Sequence, residues 1–275
     1  MTAAETVLQV EGLVHVFPDG TRAVDGVDLA IGRGERVAIV GQNGSGKTTL
    51  VRHFNGLLRP TEGRILVEGA DAAERRVAAL AASVGLAFQD PDRQIFAGSV
   101  RAEVEFGPRN LGMSGGVLRR AVDAALADVG LTGEARTNPY DLGASRRKLL
   151  ALASIQAMDT PVLVLDEPTT GQDLHGIEIV QGVIQRASAA GRTVIAISHD
   201  LRFVAESFDR VVVLRAGQAI LDGTPASVFA QERWDALRST YLEPPLPALI
   251  GSRLKLGSTP TDDALLEALV AGHAR

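Results

Sequence analysis

The sequence predicts an α/β fold: an antiparallel β part leads into a parallel sheet, a helical insert interrupts that sheet, and a small helical segment closes the chain. Three observations predict it. The apolar run Arg36-Val37-Ala38-Ile39-Val40 passes through Gly41-Gln42-Asn43-Gly44-Ser45-Gly46 into Lys47-Thr48-Thr49-Leu50, the pattern of strand, tight loop and helix. A second apolar run, Val162-Leu163-Val164-Leu165, ends in Asp166-Glu167, as a buried parallel strand with acids at its carboxyl end would. Between the two, residues 99–158 carry apolar positions at helical spacing.

Taken in order, residues 6–17 alternate loosely and stop at the turn signal Phe17-Pro18-Asp19-Gly20, and Ala23 to Ile31 alternates again, which predicts antiparallel strands. The helix after the glycine loop exits through Gly56-Leu57-Leu58-Arg59-Pro60-Thr61-Glu62-Gly63 into a strand, Arg64 to Val67. Within the insert, Val117 to Val129 has helical spacing and stops at Gly130, and Lys148 to Met158 forms a second apolar helix. The α/β pattern resumes with a strand over Val162–Leu165, a helix over Ile177–Ala190, and strands over Thr193–Ile197 and Val211–Leu214. After about Trp234 the composition shifts, and Pro244, Pro245 and Pro247 mark a break before the capped helix start Thr261-Asp262-Asp263. Leu242, Leu246, Leu249, Ile250, Leu254 and Leu256 are too many apolar residues for a disordered tail, so residues 1–233 and 234–275 are expected to form a main domain and a small packed subdomain.

The totals limit function. A chain of 275 residues can bury a full core. Its net charge of −5 and pI near 5.6 argue against a broad electrostatic footprint for nucleic acid. With no cysteine, thiolate metal sites, disulfides and cysteine nucleophiles are excluded together. Met1-Thr2-Ala3-Ala4-Glu5 has no basic flank ahead of an apolar core, and no run approaches the ~18 apolar residues of a membrane helix. Membrane contact is expected to run through a partner.

The glycine loop carries the chemistry. In the pattern G-x-x-x-x-G-K-[ST], Gly41, Gly44 and Gly46 let the backbone approach phosphate, so that the N–H groups from Asn43 to Thr49 and the helix N-terminus face an anion. Lys47 should reach the β- and γ-phosphates of a nucleoside triphosphate, and the Thr48 hydroxyl should take one position on Mg²⁺. Asp166 can hold the hydrated Mg²⁺, and Glu167, pointing elsewhere, can orient or deprotonate an attacking water. Beside Phe17, His15 is the neighbouring aromatic, and no metal-ligand spacing connects His15, His53, His175 and His273, which are expected to be surface or structural.

From about Leu8 to Ala230 these residues resemble the ATP-binding cassette ATPases. The resemblance implies that Phe17 packs against adenine, with His15 as the rival, and that Gln89 touches Mg²⁺ and water while linking the site to a transmembrane partner. It implies further that Asp173, in Pro168-Thr169-Thr170-Gly171-Gln172-Asp173, crosses to an opposite subunit, and that His199 meets the γ-phosphate. The family's signature loop, Leu-Ser-Gly-Gly-Gln, is altered here to Leu142-Gly143-Ala144-Ser145-Arg146. The loss of the serine hydroxyl and of glycine freedom should weaken that half-site, although Ser145 could still cap the next helix. Arg146, Arg147 and Lys148 would either face a phosphate or be solvated. Because each composite site combines one subunit's phosphate loop with the other's signature, a second cassette ATPase, in a hetero- or homodimer, is implied.

Gln89-Asp90-Pro91-Asp92-Arg93-Gln94-Ile95-Phe96, Glu103-Val104-Glu105-Phe106-Gly107-Pro108-Arg109-Asn110-Leu111-Gly112 and the tail around Leu242-Glu243-Pro244-Pro245-Leu246 resemble one branch, the energy-coupling-factor importers of vitamins or cobalt and nickel ions. That branch implies ATP and Mg²⁺ as ligands and a peripheral place on the cytoplasmic face of the membrane. It also implies a transmembrane scaffold protein and a substrate-binding membrane protein as partners, and a C-terminal segment that helps join two ATPases. Two rivals remain: a soluble cassette ATPase acting elsewhere, and a phosphate-loop kinase of small molecules.

Overall fold

Alternation inside each short strand decides what the central sheet buries. The computed structural model describes residues 5–273. Strands β1 (Thr6–Val16) and β2 (Arg22–Gly32) pair antiparallel around a turn closed by Phe17 N–H donating to the Thr21 carbonyl at 2.9 Å. After β3 (Arg36–Val40) and α1 (Lys47–Phe54), β4 (Glu62–Val67) returns to pair antiparallel with β1, followed by β5 (Ala70–Asp71), α2 (Val77–Ala81) and β6 (Val84–Ala87). The insert holds α3 (Val100–Asn110), α4 (Gly115–Asp128) and α5 (Ala144–Gln156). Next come β7 (Val162–Asp166), α6 (Leu174–Ala189), β8 (Thr193–Ile197), α7 (Leu201–Ser207), β9 (Arg210–Arg215) and β10 (Gln218–Gly223). Short helices α8 (Pro225–Val228) and α9 (Trp234–Arg238) lead to α10 (Leu246–Arg253) and α11 (Asp262–His273).

Two sheets result, ordered β2-β1-β4-β5 and β10-β9-β3-β8-β7-β6. In the larger sheet β9, β3, β8, β7 and β6 are parallel, and β10 closes one edge antiparallel. Side chains alternate faces along a strand. Val37, Ile39, Val162, Val164, Ile195 and Ile197 therefore join α1 and the antiparallel sheet in one core, while Ala38, Val40, Leu163, Leu165, Val194 and Ala196 join the helical insert in the other. Burial on both faces explains why these strands are continuously apolar.

Where the structure differs from the sequence expectation, local geometry is the reason. The helix expected from Lys148 begins four residues earlier at Ala144, because the extended backbone of Gly143 already serves as its N-cap. That removes the capping role expected of Ser145, which lies inside the helix. Helix α6 starts at Leu174 rather than Ile177, since Asp173 Oδ1 accepts the Gly176 N–H at 2.8 Å. In residues 234–273, Leu237 and Ala248 are buried in the same core as the insert, Arg202 pairs with Asp262 at 2.7 Å, and Thr261 Oγ1 accepts the Ala264 N–H at 3.2 Å at the start of α11. Residues 1–4 and 274–275, the outer ends of the two expected units, lie outside the described residues.

The position of the glycine loop depends on α1, whose Leu50, Val51 and Phe54 are buried between the sheets. Leu50→Ala is expected to cost about 2–5 kcal/mol of unfolding free energy, measured by denaturant titration, because the surrounding core closes only partly over the lost methyl groups. A cost below about 0.5 kcal/mol would mean that α1 is not held by that core.

Candidate active site

Strand register brings the site together. Ile39 is level with Ile197, Ile197 with Asp166, and Leu165 with Ala87. The glycine loop after β3, Asp166-Glu167 at the end of β7, Ser198-His199 after β8 and Phe88-Gln89 after β6 consequently leave the sheet along one edge. This is the carboxyl edge where open parallel sheets bind ligands.

The loop itself is built by close backbone approach. A Cβ on Gly46 would meet the Ala23 carbonyl oxygen at 2.2 Å, and Gly46 has φ 99°, so no other residue fits there. Gly41 packs in the same way against the Leu214 carbonyl and stays behind the loop. The loop then lines an open cleft of about 360 Å³ with Asn43, Gly44, Ser45, Gly46, Lys47, Thr48 and Thr49. Phe17, Gln89 and Glu167 line the same cleft. Thr21, Arg22, Ala23 and Ile197 complete it, and the sequence reading missed these four; the turn at Phe17 to Gly20 was the signal, since it folds residues 21–23 back onto the loop.

Burial separates Phe17 from His15. His15 is 7% exposed, its Nδ1 lies 3.1 Å from both the Arg59 carbonyl and His53 Nε2, and it does not line the cleft. Phe17 lines the cleft and rests edge-on against the His15 ring at 4.6 Å. His53 Nδ1 must carry a proton, since its partner at 2.7 Å is the Thr49 carbonyl. His15 and His53 are therefore structural, and His175 is exposed near Glu178.

Around the phosphate position, the charges are poised and only partly satisfied. Lys47 is 6% exposed and its ammonium donates to the Gly41 and Gln42 carbonyls at 2.7 and 2.8 Å. Burial pushes its pKa down, while Glu167 and Asp166 push it back up. Asp166 accepts a 3.3 Å hydrogen bond from the Thr48 hydroxyl. Its carboxyl is pushed above the ordinary range, first by burial and then by the neighbouring Glu167, against the Thr48 bond and the charges of Arg52 and Lys47. Glu167 Oε2 lies 2.8 Å from His199 Nδ1 and accepts a 3.3 Å bond from the Thr170 hydroxyl. Glu167 has φ 52°, a left-handed conformation costly for a residue with a Cβ, and such strain clusters at working sites.

These residues fit a magnesium nucleotide. Ser45 Oγ is fully buried without a hydrogen-bond partner, a donor waiting for an acceptor such as a phosphate oxygen. Thr48 and Asp166 offer two adjacent oxygens that could hold Mg²⁺, Gln89 lines the same cleft as Thr48, and Mg²⁺ characteristically takes few protein ligands beside waters and phosphate. Among the described residues no cluster of three or more His, Cys, Asp or Glu forms a cage for any other metal.

Residues 142–146 and Asp173 do not line this cleft. Leu142 is buried, Gly143 and Ala144 are exposed at the start of α5, and Asp173 is an exposed cap of α6. Ser145 Oγ lies 2.6 Å from Gln172 Oε1 while Gln172 Nε2 donates to the Ser145 carbonyl at 3.1 Å, so the two segments are joined side by side. All three cations find acceptors within this chain, and Arg146 is exposed as well. Arg146 pairs with Glu134 at 2.6 Å, Arg147 donates to the Leu142 carbonyl at 2.6 Å, and Lys148 donates to the Glu167 and Thr170 carbonyls at 3.2 and 2.7 Å. Each has a nearby acceptor that offsets its unfavourable place in the first helical turn.

Residues 24–170, just over half of the chain, match the ABC transporter family. The chain belongs to that family of ATP-binding cassettes. Its cassette is 43% identical over 249 residues to a putative ABC transporter ATP-binding protein of Methanosarcina acetivorans, covering 90% of this chain and 40% of that protein's length. It is 35% identical over 258 residues to the energy-coupling factor transporter ATP-binding protein EcfA of Methanothermobacter thermautotrophicus, covering 93% of this chain and 82% of that one. Among solved structures, cbiO1 of Clostridium perfringens, part of the ABC transporter complex cbiONQ, superposes with a TM-score of 0.75 at 35% identity, over 91% of this chain and 99% of that one.

Asp166 yields a test of the cassette's electrostatics. A carboxyl whose folded pKa is raised binds its proton more tightly folded than unfolded, so its contribution to stability falls as pH rises from 3.8 through the folded value. Ionised Asp166 therefore costs stability at neutral pH when Mg²⁺ and nucleotide are absent. Asp166→Asn is expected to raise the metal-free thermal midpoint at pH 7 while abolishing the Mg²⁺-dependent part of ATP binding; a lowered midpoint would contradict the raised pKa.

Proposed function

We propose that this chain is the ATP-hydrolysing subunit of an energy-coupling-factor importer. It powers uptake of a vitamin or a cobalt or nickel ion through a transmembrane scaffold protein and a substrate-binding membrane protein. No helix of the described residues is long and apolar enough to cross a membrane, and in this reading the membrane partners hold the chain peripherally on the cytoplasmic face. The observation that carries this reading is an aromatic patch reached by the segment that begins at Gln89. Phe96 and Phe106 are 59% and 49% exposed with ring centroids 4.6 Å apart, and Gln94, within the same segment, donates to the Ala151 carbonyl and to Ser154 Oγ of α5. An exposed pair of packed aromatic rings suits a protein partner. Its segment begins at Gln89, which lines the cleft, so the nucleotide and the partner meet one stretch of chain.

Catalysis is positioning and electrostatics around the γ-phosphate. Lys47 neutralises phosphate charge, and Ser45 and the loop N–H groups hold its oxygens. Thr48, Asp166 and Gln89 would hold Mg²⁺, which supplies further charge neutralisation when bound. Phe17 packs on the adenine. Glu167 takes a proton from the attacking water at its carboxylate. Bound to an ionised Glu167, His199 Nδ1 carries its proton, which leaves Nε2 bare in the neutral ring. Donation from His199 to a γ-phosphate thus takes a second proton on the ring or a turn of the ring away from Glu167.

Residues 142–146 and Asp173 serve the dimer. The altered signature weakens the composite site that holds the partner's nucleotide, and the site over this chain's own ATP is completed by a second cassette with a full signature. Residues 234–275 help join the two ATPases.

Affinity purification of the chain from gently solubilised native membranes is expected to bring down a second cassette and two membrane proteins; recovery of only a soluble homodimer would overturn the importer reading. In the assembled complex Glu167→Gln is expected to retain ATP binding while turnover falls ~10²-fold or more, about 3 kcal/mol in the barrier. Unchanged turnover would remove Glu167 from its role.

A further inference from the structure

Helix α5 reaches the water-activating carboxylate from behind. The Lys148 ammonium donates to the Thr170 carbonyl at 2.7 Å and to the Glu167 carbonyl at 3.2 Å, and the Glu167 carbonyl otherwise accepts a long 3.4 Å bond from the Thr170 N–H. Those two residues bracket the strained turn. Glu167 has φ 52°, and Thr170 is the residue whose hydroxyl bonds the Glu167 carboxylate at 3.3 Å. One cation therefore grips both the backbone that aims the carboxylate and the residue that orients it. One turn earlier on the same face of α5, Ser145 and Gln172 make the reciprocal pair at 2.6 and 3.1 Å. The turn from 167 to 172 is thus bound to the first two turns of α5 by four hydrogen bonds.

We propose that Lys148 is a positioning residue for Glu167, its ammonium holding the left-handed turn that directs the carboxylate into the cleft. This rests on the hydrolytic role of Glu167 and adds a requirement to it. A carboxylate at the end of a strained turn has the correct reach only while the turn is held, and a misplacement of about 1 Å costs up to about a hundredfold in rate. Because α5 also carries residues 142–146 at its N-terminus, any shift of that helix moves the carbonyls that set Glu167. Lys148 touches no reacting atom, so its removal acts on turnover through Glu167 and leaves ATP binding alone.

The test uses the full chain in the membrane complex that it co-purifies with. Lys148→Met keeps the length and apolar stem but removes the ammonium, and Lys148→Arg keeps a donating cation. Lys148→Met is expected to lower kcat about tenfold or more with KM for ATP and the affinity for a fluorescent ATP analogue unchanged, and Lys148→Arg to recover most of the rate. In a Glu167→Gln background, read by single-turnover hydrolysis, Lys148→Met should bring no further loss, because both act at one group. An unchanged kcat in Lys148→Met, a parallel loss of ATP affinity, or an independent further loss in the Glu167→Gln background would each overturn the positioning role. Glu167→Gln alone separates the two layers. If it is slow while Lys148→Met is not, only the positioning role fails; if it hydrolyses ATP as fast as the wild type, the hydrolytic role of Glu167 fails and the positioning role with it.

Discussion

The alignment of four parallel strands is the constraint from which the site follows. Asp166, Ile197, Ile39 and Ala87 stand within a residue of one another along the sheet, so β3, β6, β7 and β8 end together. A slip of one residue in β7 would turn Asp166 to the opposite face and exchange every apolar side chain between the two cores. The register is thus held by the same alternation that sorts Val162 and Val164 from Leu163 and Leu165. Hydrophobic sorting, not any contact within the cleft, places the lysine, the two acids, the histidine and the glutamine at one edge.

Much of this was legible in the sequence because its signals are local. A glycine loop between an apolar run and a helix, and two acids ending a second apolar run, each follow from backbone chemistry within ten residues. That Phe17 lines the cleft while His15 does not depends on the pairing of His15 with His53 across 38 residues, which no local signal carries. Helices α7 and α10 and strand β10 are short and carry weak periodicity, and their identity depends on packing against neighbours distant in sequence. Ser145 failed as a cap because Gly143, extended and able to turn the chain, begins the helix earlier. Lys148 was misread for a related reason. From the sequence it would either face a phosphate or be solvated, whereas in the fold its partners are carbonyls 19 and 22 residues away.

The site also shows where stability is given up for function. Asp166 is buried beside another acid, Glu167 occupies a left-handed backbone, and Ser45 is buried without a partner. Each of these is unfavourable in the chain alone. The surrounding structure accommodates them through the buried α1 and through the hydrogen bonds that α5 makes to the turn after β7. Gln89, which lines the cleft, and Gln94, which is bonded to α5, lie on the segment that runs to the exposed Phe96.

The thermal unfolding midpoint of the chain with ATP, titrated in the presence of Mg²⁺ and again with the metal chelated, tests this most directly. A ligand at about a hundred times its Kd stabilises the folded state by about 2.7 kcal/mol. A cleft lined by Ser45, Lys47 and Thr48, with Asp166 bonded to Thr48, predicts a clear upward shift with ATP and Mg²⁺ that shrinks when the metal is removed. A midpoint indifferent to ATP at every Mg²⁺ concentration would contradict it.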